Sequence, residues 1–359
     1  MDNLVFGQGA AGILRRCKVD WGGVGYGGVG YGAGVRGGLR IRKLSLAAIA
    51  LAAFPAIVVI SPQVQSRAPA TMQDQRDLSI QQSVEAIVAH SRGRIGIAAA
   101  DLDGGGQVLI NGDMPFPMAS TAKVAVAATF LSGVEQGRFR LDQPFPMMMP
   151  VAERGDRSGS APLRAGPVMA AQQLMELSIT RSNNNATDGL ITAVGGVAVV
   201  NAWLTKSGII GQHLDSTMAT LVRDDGRNNP VTTIDTHTAS TPRAMLSLLS
   251  AIDRGGVLSP QSRAVLLDTM TRTSTGKNRM RAGLPDGTVF AHKTGTLAGV
   301  TDDVGIIRLP DGSHLALVIF IAGPEGHTSH AVMIAQVTRT LYDGYAQGLP
   351  HTELTDSRR

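Results

Sequence analysis

The chain has 359 residues, 43% hydrophobic and 17% charged, a composition ordinary for a globular protein of one or two units. The net charge of +5 raises nucleic acid or an anionic membrane as partners, but beyond residue 43 the basic residues are dispersed. That pattern points to a solvated basic surface and no nucleic-acid partner. The single cysteine, Cys17, rules out an internal disulfide, a cysteine-based metal site and a thiol nucleophile.

Residues 1–39 form a glycine-rich extension, with runs such as Trp21-Gly22-Gly23-Val24-Gly25-Tyr26-Gly27-Gly28. Such low complexity does not pack, so the segment is read as disordered or as untranslated, with a true start near Val35. Arg40, Arg42 and Lys43 then precede the apolar run Leu44 to Ile60. That run is short of the ~20 residues that span a bilayer comfortably. Small residues follow at Val64-Gln65-Ser66 and Ala68-Pro69-Ala70. Residues 40–66 therefore read as an export signal, with an uncleaved anchor as the alternative. The catalytic part is expected in the periplasm or secreted, touching the membrane only through this segment.

After a polar lead-in over 67–78, a domain is expected over 75–345. Ser79 is the expected N-cap of a helix with Ile80, Val84, Ile87 and Val88 on one face. Alternation predicts a strand from Arg94 to Leu102, a turn at Asp103-Gly104-Gly105-Gly106, and a return strand from Gln107 to Ile110. Helical periodicity follows over Val124–Val134, Met169–Ile179, Asn185–Val194, Val197–Lys206, Pro242–Asp253 and Pro260–Met270. His213 to Ser240 lacks apolar period, and a loop that long is usually functional. Strands are expected at Thr288–His292, Val304–Leu309 and His314–Ile321, then a helix from His327 to Tyr342 and a polar tail over 346–359. The two ends must share one sheet. The class is α/β (α+β): an antiparallel sheet from residues 75–116 and 283–345, flanked by helices, with an all-α insertion over 117–282.

Three fragments carry chemistry. Ser120 and Lys123 lie three residues apart at a helix start, so both face one way. A serine hydroxyl is a weak nucleophile until a base takes its proton, and a buried lysine near other cations can be that base. Ser182-Asn183-Asn184 opens a helix, where Ser182 can relay a proton and Asn184 can bind an amide. Lys293-Thr294-Gly295-Thr296 ends a strand, where Lys293 and Thr294 can hold a carboxylate and Gly295 lets substrate approach the backbone. Each alone has a plainer reading as a helix cap or an edge-strand lysine. Together, in this order, they are the parts of an active-site serine acyl-transfer enzyme. The histidines offer no metal spacing. His213 and His237 read as solvated loop residues, His292 as either touching the site beside Lys293 or facing the opposite side of the strand, and Met147-Met148-Met149 as hydrophobic filler.

From Ile80 to Gly323 the sequence resembles class A serine β-lactamases and related penicillin-recognising serine hydrolases. The resemblance rests on Phe116-Pro117-Met118-Ala119-Ser120-Thr121-Ala122-Lys123, on Ile179 to Ile191, on Thr241-Pro242-Arg243-Ala244-Met245 and on Arg281-Ala282-Gly283-Leu284-Pro285. It implies a β-lactamase/transpeptidase-like fold, a monomer and no metal or organic cofactor. It also implies that Ser120 is acylated with Lys123 as proton partner. Ser182 then donates to the leaving nitrogen, and Asn184 holds the acylamide. Lys293 and Thr294 bind the carboxylate, and the N–H groups of Ser120 and Thr296 form the oxyanion hole. Two positions depart from the family. Asn183 stands where Asp is common. The glutamate that activates the deacylating water is missing: Leu214-Asp215 is followed by Ser216, Thr217 and Met218, and Asp224 and Asp225, the nearest acids, are the candidates for that base. The expected substrates are β-lactams. Peptidoglycan-like D-Ala-D-Ala peptides, other amides or esters, or once-only acylation in a penicillin-binding sensor are the alternatives.

Overall fold

The computed structural model describes residues 71–152, 159–234 and 236–347. The glycine-rich extension, residues 40–66 read as an export signal, and the tail from residue 348 lie outside them. In chain order the elements are α1 (Met72–Val88), β1 (Arg94–Asp101), β2 (Gln107–Ile110), β3 (Phe116–Pro117), a 3-10 turn (Ala119–Ala122) and α2 (Lys123–Glu135). Next come β4 (Pro144–Pro150), β5 (Leu163–Ala170), α3 (Ala171–Thr180), α4 (Asn184–Val194), α5 (Val197–Lys206), β6 (Gln212–His213) and α6 (Met218–Arg223). The chain closes with β7 (Ala239–Ser240), α7 (Pro242–Asp253), α8 (Pro260–Thr271), α9 (Met280–Gly283), β8 (Phe290–Leu297), β9 (Val300–Arg308), β10 (His314–Ala322) and α10 (His327–Ala346).

As expected, the main sheet joins both ends of the domain, in the order β2-β1-β10-β9-β8 with antiparallel pairing throughout. Its central strands are buried on both faces. One face packs Ile97, Leu317 and Ile319 on α1 and α10, through Ile80, Val84, Ile334, Val337 and Leu341. The other packs Ala98, Val318 and Phe320 against α2 and α7. With both faces covered, the strands read as continuous apolar runs rather than alternating ones. β8 is left at the sheet's edge, where a site can form.

Three expectations change. The first helix starts at Met72, not Ser79: Thr71 Oγ1 accepts from the Asp74 N–H and the Thr71 N–H donates to Asp74 Oδ2, a complete capping box. The insertion is mostly helical rather than all-α. It holds the β4–β5 ribbon, which takes up Met147-Met148-Met149 and the predicted helix start Met169, and the small sheet β3-β7-β6. The strand carrying Lys293 runs from Phe290 to Leu297, beyond the predicted His292, because its polar residues are buried and paired instead of alternating outward.

The long loop is closed at its neck. Asn201 exchanges two hydrogen bonds with Leu214, Asp215 exchanges two with Thr238, and Gln212 pairs Ser240. Within it lies the short helix α6, capped by Thr217.

Candidate active site

Ser120 lies half-buried on the 3-10 turn that runs directly into α2 at Lys123. Ala119, just before it, has φ +46°. A left-handed alanine costs roughly 1–3 kcal/mol and persists only where its surroundings hold it. Here the hold comes from β8: a side chain at Gly295 would lie 2.9 Å from Met118 O and 3.0 Å from Ala119 Cβ. Only glycine lets the serine turn and the Lys-Thr-Gly-Thr strand approach this closely.

Lys123 is fully buried. Its Nζ donates to Ser182 O at 2.7 Å and to Asn184 Oδ1 at 2.6 Å, and lies 3.3 Å from Ser182 Oγ. Burial lowers its pKa to about 7, against the opposing pull of Asp188. A neutral amine has two N–H bonds and a lone pair. The two short contacts use the N–H bonds, so the lone pair is left for a hydroxyl.

Ser182 adopts φ +54°, a second left-handed non-glycine residue, between α3 and the Asn183 N-cap of α4. Asn183 Oδ1 accepts from the Ala186 N–H at 2.9 Å, so Asn does at this position what a capping Asp would do. Ser182 Oγ also receives a 2.9 Å hydrogen bond from Lys293 Nζ, which donates to Thr294 O at 2.8 Å as well. Lys293 is fully buried. Burial first, then the charge of Lys123, holds it well below an ordinary lysine. The Ser-Asn-Asn segment and the Lys-Thr-Gly strand, 111 residues apart between Ser182 and Lys293, thus meet on one hydroxyl between two lysines.

Thr294 Oγ1 pairs Thr275 Oγ1 at 2.7 Å. Exposed Thr296 accepts from Arg279 Nη2 at 2.6 Å. Arg279 Nη1 also binds the carbonyls of Gly295 and Asp302, at 2.7 and 2.8 Å. Arg279 is a cation beside Thr294–Thr296 that sequence reasoning missed, although it lies two residues before the Arg281-Ala282-Gly283 signature. His292 points away from the lysines, with its Nδ1 2.9 Å from Asp303 Oδ1 and its ring on Phe290. Among the described residues no group of three His, Cys, Asp or Glu could hold a metal.

Asp188 is the other residue missed. Buried on α4, it accepts from the N–H groups of Met218 at 2.7 Å and Ala219 at 2.9 Å, clamping α6 to α4. Burial raises its pKa to about 6, while the two N–H donors and Lys123 favour its anion. No motif marks it; only a loop folding back on α4 gives it a role. Met218, where the family's glutamate would stand, is buried.

Asp224 and Asp225 lie elsewhere. Asp224 pairs Arg223 and Arg227, and Asp225 Oδ1 accepts from the Ala298 N–H at 2.8 Å. Both line a cavity of about 470 Å³ between the long loop and the end of β8, whose walls include neither Ser120 nor Lys123.

A serine on a tight turn, a buried lysine of lowered pKa and a second serine joined to a second lysine are the side chains a serine hydrolase needs. Residues 79–345 match the family model described as the Beta-lactamase enzyme family. β-Lactamase CTX-M-97 of Escherichia coli is 31% identical over 251 residues, covering 69% of this chain and 82% of that protein. Extended-spectrum β-lactamase PER-1 of Pseudomonas aeruginosa is 33% identical over 178 residues, covering 48% of this chain and 56% of that protein. The chain thus spans little more than half the length of that relative.

Among solved structures, a β-lactamase from Chitinophaga pinensis is 32% identical with a TM-score of 0.65, covering 74% of this chain and 99% of that one. A leucine-to-glutamate mutant of PBP-A, in an acyl-enzyme complex with penicillin G, is 28% identical with a TM-score of 0.64, covering 76% and 97%. The chain belongs to the β-lactamase enzyme family, with the class A-like serine hydrolases.

Proposed function

We propose that this chain opens β-lactam rings by acylating Ser120 and that its acyl-enzyme is hydrolysed slowly. The observation that carries the reading is the Ser182 hydroxyl shared by two buried lysines. Ser120 Oγ attacks the lactam carbonyl carbon, and its proton passes to the lone pair of Lys123. The developing oxyanion is taken by the N–H groups of Ser120 and Thr296, as the family resemblance implies. As the C–N bond breaks, Ser182 gives its proton to the ring nitrogen and is resupplied from Lys123. Lys293, Thr294 and Thr296 take the substrate carboxylate, with Arg279 beside them. Asn184 Oδ1 is occupied by Lys123, which leaves its Nδ2 to donate to the acylamide oxygen.

Hydrolysis needs a base beside the ester. Met218 supplies none, and Asp224 and Asp225 are engaged by arginines and by Ala298. That favours a second reading, a D-Ala-D-Ala peptidase or a penicillin-binding sensor, and the likeness to PBP-A points the same way. The basic and apolar run from Arg40 to Ile60 supports export to the periplasm or beyond, and the family supports a monomer.

A chromogenic cephalosporin mixed with the purified protein and followed from the first seconds tests this. A stoichiometric burst with a slow steady rate, both abolished in Ser120→Ala, is expected. Covalent penicillin labelling that survives Ser120→Ala would refute the nucleophile. Fast sustained turnover would refute slow hydrolysis.

A further inference from the structure

Behind the serine turn lies a carboxyl group that none of these steps uses. Asp302 on β9 is the register partner of Gly295 on β8. It is fully buried, and neither carboxyl oxygen has a hydrogen-bond partner of normal geometry. It occupies the room that Gly295 leaves: a side chain at Gly295 would lie 2.8 Å from Asp302 Oδ2 and 2.9 Å from Met118 O. Met118 and Ala119 lead into Ser120, so the acid shares one small buried space with the turn that presents the nucleophile.

We propose that Asp302 is a positioning residue which, as an uncharged carboxylic acid, backs the oxyanion hole, and that its ionisation shuts acylation down. The inference rests on the acylation chemistry proposed above. The oxyanion forms at the N–H groups of Ser120 and Thr296, on the two segments that close over Asp302. A carboxylate behind them would oppose that charge across a low-dielectric gap, whereas the neutral acid only fills the space and supports the left-handed Ala119.

The surroundings favour the neutral form. Burial is the largest influence and holds the acid well above an ordinary aspartate, and neighbouring Asp303 adds to it. Arg279 and the Ile321 N–H pull the other way but do not prevail. The remaining titratable groups on adjoining elements are Lys293 on β8, Lys123 after the turn, and His327 and His330 on α10. Burial lowers both lysines and His330, which reduces the positive charge that would ionise Asp302.

Asp302→Asn keeps the shape and removes the ionisation. Penicillin acylation of the full chain is measured against pH for wild type and variant. At neutral pH the two should agree within about twofold, as expected for an isosteric change. At high pH the wild type should fall by about tenfold per unit beyond the acid's pKa, while the variant holds. Superimposable profiles would overturn the proposal, as would a folded variant that no longer acylates at neutral pH. If Asp302→Asn does not fold, Asp302→Ser makes the same comparison.

Thermal unfolding gives a readout that needs no acylation. A raised folded pKa means that stability present below about pH 4 is lost as pH rises toward the folded value. The variant should therefore gain on the wild type as pH increases, and a constant gap would overturn the proposal. A widening gap in a protein that never acylates would instead refute the proposed function and leave the buried acid standing.

Discussion

At neutral pH Lys123 is divided between ammonium and amine, since burial brings its pKa to about 7. Only the amine can take the Ser120 proton. Acylation should rise about tenfold per pH unit below 7 and level off above it until Asp302 ionises, which rapid-mixing rates will show. Lys123→Arg stays charged throughout and should lose at least ~100-fold in acylation, a loss that a general-base role requires. Met218→Glu puts a carboxylate where the family carries one. It should speed deacylation by about 100-fold or more, turning a burst into turnover. Residue types at Ser120, Lys123, Ser182 and Lys293 were legible because side-chain chemistry is local. The protonation state of Lys123 was not, because it depends on Asp188 and on burial by α3 and α4.

At the scale of elements, the helices with strong periodicity or clear caps emerged within a few residues, as at Thr241-Pro242 for α7 and Ser259-Pro260 for α8. The β4–β5 ribbon and α6 did not, because proline-rich Pro144–Pro150 lacks alternation and a six-residue helix has too few turns for a period. Asp188 is what fastens α6 to α4. Asp188→Ala leaves two N–H groups without an acceptor and should cost about 1–3 kcal/mol for each that stays dry. Asp188→Asn keeps one acceptor oxygen and should cost less, and chemical denaturation of both variants checks the order. Asp224→Ala and Asp225→Ala should leave deacylation unchanged when the decay of a penicilloyl adduct is followed by mass. Longer persistence of the adduct in either would return that aspartate to the reaction.

Across the whole molecule, buried ionisable groups should shape stability against pH. The folded pKa of Asp188 is raised to about 6, so stability that is full below about pH 4 is lost as pH rises through 6. The folded pKa of Lys123 is lowered, so the unfolded chain binds more protons above 7 and stability climbs from there toward ~10.4. Melting temperatures should dip near pH 6–7 and recover, and Asp188→Asn should remove its share of the acid-side fall, the rest coming from Asp302.

The sequence by itself determined the sheet built from both ends of the domain, the helical insertion and the four side chains proposed to carry acylation. Those follow from local periodicity, turn chemistry and residue type. Tertiary structure alone decided that Ser182 lies between two lysines, that Asp188 clamps the long loop, that Arg279 reaches Thr296, and that Asp302 hides behind the serine turn. Each depends on segments distant along the chain meeting in a dry interior, where burial sets charge states and a partner's identity follows from packing.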